Sequence, residues 1–298
     1  MVIAAGLVAV VFAAGAATVV LSRPERARHA APAPSAGAPG AGAPTGAAAL
    51  ASAAAARQQA AAWVASQANP DAIVACDPAM CAALQAHGVP AGRLLVLTPA
   101  RSDPLGSDLV VATAAVRSQF GARLAGVYAP VTVAVFGSGA TRIDVRTVAP
   151  DGAAAYLAAL ATDIRARKTA GALMLRNSHI HVAGTARAAL AAGEVDPRLL
   201  VTLATLAHLQ PLDITGFGGP GPGGSASAGA PLRSADITAA AAGSRHSASL
   251  QALMTILRAQ RPPYSPSTLE IVRIPPIGNV LRIGYPVPSP LGLLGSGG

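Results

Sequence analysis

The chain has 298 residues, 52% of them hydrophobic and 12% charged, with a mean hydropathy of +0.48, which excludes disorder throughout and leaves room beyond residue 57 for two small domains. Aromatics are only 3%, so the core is expected to be built from Val, Leu, Ile and Ala. The formal charge of +9 attracts phosphate-rich polymers or an anionic membrane face, but the arginines are scattered and Trp63 is the only tryptophan, so the basic stripe and stacking aromatics of a nucleic-acid module are missing.

Residues 2–21, VIAAGLVAVVFAAGAATVVL, form an uncharged apolar run long enough to cross a bilayer as a helix. Arg23, Arg26 and Arg28 follow it, the reverse of the usual positive-inside bias, and that rule alone keeps the body in the cytoplasm. Long domains translocate largely regardless of flanking charge, however, and small residues at the end of the run also suit a cleaved signal peptide. Residues 1–22 are therefore read as a transmembrane anchor or signal segment, and 23–56 as a disordered Ala/Pro/Gly spacer whose alanine-rich end runs on as helix into ARQQAAAWVASQ, 56–67.

Residues 57–150 read as an α/β domain. AIVACD (72–77) is a strand, and PAMCAALQAHG (78–88) a helix with Pro78 in its first turn and Gly88 as its stop. RLLVL (93–97) and DLVVAT (108–113) are further strands, and their continuous apolar runs suit parallel members covered on both faces. VTVAVFG (131–137) and TRIDVRTV (141–148) read as a closing hairpin.

Residues 151–298 read as an α+β domain. A helix over 153–177 leads to HIHV, then to a helix beginning at Thr185 and ending at Gly193. The next helix, 196–210, has Asp196 as N-cap and Pro197 at its first position. Strand 212–217, a Gly/Pro/Ser/Ala loop (218–230), strand 232–238, helix 248–260 and strands 268–274 and 279–285 complete the set. The fold class is thus α/β plus α+β.

Over residues 61–148 the chain resembles the C-terminal soluble domain of actinobacterial polytopic glycosyltransferases of the protein-mannosyltransferase type. The positions that carry the resemblance are Trp63, Asp77, Asp108 with Val110 and Thr113, Arg117, and Phe136-Gly137 through Arg142, Asp144 and Arg146. It implies an extracytoplasmic setting and a binding role toward a glycan or partner. The transferase chemistry of that family lies in a multi-helix membrane part that these residues do not include.

Asp77 ends a predicted strand where α/β sheets often place ligand groups, but Asp-Pro before a helix is also an ordinary N-cap. Cys76 and Cys81 flank it, either as a short-loop disulfide in an oxidising exterior or as free thiols.

Residues 175–286 resemble an actinobacterial relative of the D-alanyl-D-alanine carboxypeptidase-like zinc peptidases, through Asn177, Ile180, Val182, Ala186-Arg187, Gly193, Val195-Asp196 and Arg198. The active family binds zinc through H-x-x-G-x-A-x-D and the last His of a later H-x-H. Placing Asp236 on the Asp puts Gly229 at the first His, and Val280 and Arg282 at the later pair. Glycine and valine side chains offer no donor atom, and a guanidinium has no lone pair to give. The resemblance therefore implies a degenerate site with no metal or cofactor and no catalytic residue.

His179 and His181, at alternate strand positions, together with Asp236 supply the alternative of a reconstituted cell-wall metallopeptidase or hydrolase site. His208 and His246 are further imidazoles, while His29 and His87 occupy spacer and helix-end contexts. GFGGPGPGG (216–224) contains no lysine and is not a phosphate loop, and no G-x-S-x-G elbow is present.

The candidate ligand-binding residues are Asp77, Arg117, Arg142, Arg146, Asp236 and Arg282. The expected protein is a membrane-tethered or secreted envelope protein with its body outside the cell. Its expected partners are the membrane through residues 2–21, anionic cell-wall polymers and the envelope glycosyltransferase machinery.

Overall fold

Alanine has the strongest helix propensity, and the run between Ala47 and Ala56 carries helix α1 (Gly46–Gln67) upstream into the stretch expected as spacer. Ala56, Ala60, Trp63 and Val64 form its buried stripe at helical spacing. The computed structural model describes residues 46–100, 103–219, 223, 229–239 and 244–295, the first three of the last range by backbone alone. The expected membrane segment 2–21, the spacer up to residue 45 and His29 lie outside the described residues. Among those described, no helix is long and apolar enough to cross a membrane.

The first sheet holds β1 (Val74–Cys76), β2 (Leu94–Val96), β3 (Leu109–Ala112), β4 (Val131–Phe136) and β5 (Ile143–Thr147) in the order β2-β1-β3-β5-β4. β1, β2 and β3 run parallel, and β5 is antiparallel to both β3 and β4. Every residue of β3 is buried because both faces are covered. Leu109 and Val111 pack with Trp63 of α1 and with Met80 and Leu84 of α2 (Pro78–Ala86). Val110 and Ala112 pack on the opposite face with Val116 and Phe120 of α3 (Ala114–Phe120). The sequence reading contained no α3. It is a two-turn helix capped by the Thr113 hydroxyl, which accepts from Val116 N.

Helix α4 (Ala153–Arg176) leads to the second sheet, β6 (Ile180–Val182), β7 (Leu212–Gly218), β8 (Ser234–Ala239), β9 (Thr268–Ile274) and β10 (Gly278–Gly284), ordered β6-β7-β8-β10-β9. Only its β6–β7 pair is parallel. Helices α5 (Gly184–Ala192), α6 (Pro197–Leu209) and α7 (Ser244–Arg258) accompany it. Ile214, Ile237, Leu281 and Ile283 join Leu199 and Leu203 of α6 and Leu250 and Leu253 of α7 in one core. Strand side chains alternate, so Asp236 and Arg282 lie on the other face.

The described residues thus form a mixed α/β fold with two five-stranded sheets, one before residue 150 and one after it. They fall in one compact unit, Pro44–Gly298. After β10 the chain returns to the first half, where Val287 bridges Ala68, its N–H donates to Gln67 O (2.8 Å), and its carbonyl accepts from Asn69 N (2.8 Å). Leu160, Ala230 and Val287 are buried in the same cluster as Trp63 and Phe136. Helices α4 and α5 cross closely at Gly171, where a Cβ would stand 2.3 Å from Leu190 O.

Candidate functional site

The exposed face of the second sheet is built by cross-strand register. One row aligns Gly216, Asp236, Arg282 and Glu270, and the next aligns Gly218, Ser234, Gly284 and Thr268. Arg282 donates from Nε to Asp236 Oδ1 (2.8 Å) and from Nη2 to Asp236 Oδ2 (2.9 Å), a planar two-bond pairing. The hydrogen bonds to Asp236 hold the Arg282 guanidinium more firmly protonated than an ordinary arginine. Both candidate residues of the second half therefore meet, and each uses the other.

Position 229 lies apart from this face, since a Cβ on Gly229 would stand 3.0 Å from Val131 Cγ1 of β4. Val280 is fully buried. His181 and Asp236 are not brought together, because β7 separates their strands and the register sets His181 beside Asp213 and Asp236 beside Gly216. His181 Nδ1 instead lies 3.3 Å from Asp213 Oδ1. His179 Nδ1 lies 3.3 Å from Ala207 O. His208 lies in the last turn of α6, His87 pairs with Gln58 Oε1 at 2.7 Å, and the His246 side chain lies outside the described residues. Among the described residues, no group of three or more His, Cys, Asp and Glu side chains is placed to hold a metal ion.

In the first half Asp77 caps α2, its Oδ1 accepting from Met80 N at 2.9 Å. Its Oδ2 accepts a short hydrogen bond from the Thr113 hydroxyl, which ties the ends of β1 and β3 together. Cys76 and Cys81 are joined in a disulfide across this turn, with both residues buried. Arg117 donates to the carbonyls of Ala112 (2.8 Å) and Arg142 (2.5 Å). Arg142 pairs with Asp144 at 2.7 Å. Arg146 donates to the carbonyls of Ala129 (2.6 Å) and Pro130 (3.0 Å) and to Thr132 Oγ1 (2.6 Å), and burial lowers its hold on its proton. These three arginines bind the sheet to its own loops, and none of them reaches the Asp236–Arg282 face.

The sequence reading missed a buried polar network behind that face. Asp196 caps α6 and accepts from Arg198 Nε (3.0 Å) and Nη2 (2.8 Å), and the Ser289 hydroxyl donates to Asp196 Oδ2 at 2.5 Å. Arg233 donates to Tyr285 O (2.5 Å) and to Gln67 Oε1 (3.2 Å), and burial pushes its guanidinium down to about 10. The Tyr285 hydroxyl shares a hydrogen bond with Thr202 Oγ1 (2.7 Å) and donates to Tyr264 O (3.1 Å). Asp196-Pro197 was legible as a cap, but Ser289, Gln67 and Tyr285 reach it only through the returning C-terminal segment.

Burial pushes the Tyr285 phenol up to about 12 from the ordinary 10.0. The folded state therefore keeps the proton that the unfolded chain releases, so the contribution is complete below pH 10.0 and is lost as pH rises toward about 12. Tyr285→Phe should lower stability by about 1–2 kcal/mol at neutral pH through its lost hydrogen bonds. In urea melts this deficit should shrink across that alkaline window, and a deficit independent of pH would refute the assignment.

Comparison of the chain with protein-family models, curated proteins and solved structures finds no match.

Proposed function

We propose that the chain is a membrane-tethered or secreted extracytoplasmic envelope protein without catalytic activity, whose body binds or scaffolds envelope polymers or partner proteins. The observation that carries this reading is the two-bond pairing of Arg282 with Asp236. In a zinc peptidase-like arrangement these positions would each offer a lone pair to one metal ion. Here a guanidinium, which has none, occupies both oxygens of the one carboxylate.

The apolar run at 2–21 and the disulfide between Cys76 and Cys81 support placement outside the cytoplasm, since disulfides persist where thiols are not kept reduced. Exposed Arg176, Arg187 and Arg261 support affinity for anionic envelope polymers.

Two measurements test the proposal. A C-terminal fusion should make an export-dependent phosphatase active and leave a cytoplasm-dependent fluorescent protein dark; the reverse pattern refutes the placement. The purified full chain should carry no stoichiometric zinc and leave peptidoglycan stem peptides intact. Zinc lost on changing His179 and His181 to alanine, with stem-peptide cleavage, would establish the metallopeptidase alternative.

A further inference from the structure

Beside the Asp236–Arg282 pair lies a cleft of about 350 Å³, bounded by Arg233, Gln67, Ser267 and the backbone of Gly218 and Gly284. That size is at the low end of the ~300–1,000 Å³ usual for small-ligand sites. We propose that it binds a neutral, polyhydroxylated ligand, one or two sugar units of an envelope polysaccharide, with the Arg282–Glu270 gap and the Ser234 and Thr268 hydroxyls as its hydrogen-bonding groups. This deepens the binding function proposed above and rests on it.

The shape follows from where side chains are missing. A Cβ at Gly218 would stand 2.0 Å from Ser234 Oγ, and one at Gly284 would stand 3.0 Å from Thr268 Cβ. Bare backbone at these two positions sinks the floor and leaves both hydroxyls room to face a ligand.

Charge selects a neutral occupant. The cleft lining carries two guanidiniums, Arg233 and Arg282, and one carboxylate, Asp236, while Glu270 stands next to the lining, 4.0 Å from Arg282 Nη1. With these four charges in balance, an anion meets the carboxylates and a cation meets the guanidiniums with no net gain.

The hydrogen-bonding inventory selects hydroxyls. Arg282 gives Nε and Nη2 to Asp236, but its Nη1 stands 4.0 Å from Glu270 Oε1, too far for a direct hydrogen bond. A hydroxyl placed between them accepts from Nη1 and donates to the carboxylate, which only a group of both capacities can do. Ser234 and Thr268 make no side-chain hydrogen bond to another described residue, and each offers one donor and an acceptor. Neighbouring hydroxyls of a sugar ring present the same alternation.

The test titrates the purified full chain with cellobiose, mannobiose and N,N′-diacetylchitobiose, with galacturonic acid as the anionic control and glucosamine as the cationic control, followed by calorimetry and chromatography of the sugars. At least one neutral disaccharide should bind saturably with little salt dependence, and the controls should not. Arg282→Met should weaken binding about tenfold or more, and Thr268→Ala, at an exposed position, about three- to tenfold, as the loss of a charge-assisted and a neutral hydrogen bond respectively predicts. Glu270→Gln leaves the fold's ion pair with Asp236 intact and should also weaken binding. Saturable binding of none of the three disaccharides, preference for either control, or binding unchanged in Thr268→Ala and Glu270→Gln overturns the ligand assignment while leaving the non-catalytic reading standing. Disaccharide that binds and is cleaved refutes the non-catalytic reading and leaves the ligand class standing.

Discussion

Replacing Asp163 by alanine is expected to lower the stability of the fold by about 3–5 kcal/mol, because it removes the carboxylate that neutralises a guanidinium inside the protein. Arg167 donates from Nε to Asp163 Oδ2 at 2.8 Å, and the two side chains are 0% and 2% exposed. The same guanidinium donates to Gly193 O (2.8 Å), the residue that ends α5, and Asp163 Oδ1 accepts from Gly292 N (3.1 Å) of the C-terminal segment. One ion pair on α4 therefore holds α5 and the returning chain end together. The i, i+4 spacing alone would be worth about 0.3–0.5 kcal/mol on an exposed helix, so burial is what raises the effect. Urea denaturation should show a lower midpoint with an unchanged slope. The double change Asp163→Leu with Arg167→Met should be milder than Asp163→Ala, since it leaves no buried charge. A single variant within about 1 kcal/mol of the parent would show that water reaches the pair.

Trp63→Ala should cost a similar amount, about 3–5 kcal/mol, by opening a cavity between α1 and the first sheet. Trp63 is 4% exposed and meets Phe136 of β4 edge to face, with ring centroids 6.2 Å apart. With so few aromatics in the chain, this pair supplies much of the bulk that fixes α1 on β4, and the surrounding alanines are too small to close the gap. Thermal unfolding followed by circular dichroism is the suitable measurement, since the variant has no tryptophan fluorescence. Trp63→Phe should recover part of the loss, whereas Leu50→Ala, at a position 73% exposed, should change little. Equal effects at positions 63 and 50 would mean that α1 is not docked through its tryptophan.

The candidate face shows how much of the site could be read from the chain. Asp236 and Arg282 were picked out singly, and the strands that carry them were placed nearly to their ends. Their pairing was not legible, because it depends on β10 lying against β8 with Arg282 opposite Asp236, and β9 comes between them in the chain. The role of Thr268 and Ser234 at this cleft is not legible in the chain for the same reason: a serine or threonine in a strand gains meaning only from its cross-strand neighbours. Arg117, Arg142 and Arg146 looked like ligand groups because a sequence shows charge but not the carbonyls that consume it.

What the sequence by itself determined is local. Asp77-Pro78 and Asp196-Pro197 start α2 and α6 because a carboxylate can satisfy an unpaired N–H and proline lacks one. Gly193 ends α5 because its left-handed conformation (φ 70°) is easy only for glycine. The apolar runs of β1 and β3 announced a sheet covered on both faces. Only the tertiary structure decided that Asp163 and Arg167 are interior, that Val287 binds back beside Ala68, and that the two sheets share one compact unit. These depend on contacts between segments far apart in the chain, whose free energy comes from packing and burial rather than from the propensity of any one segment.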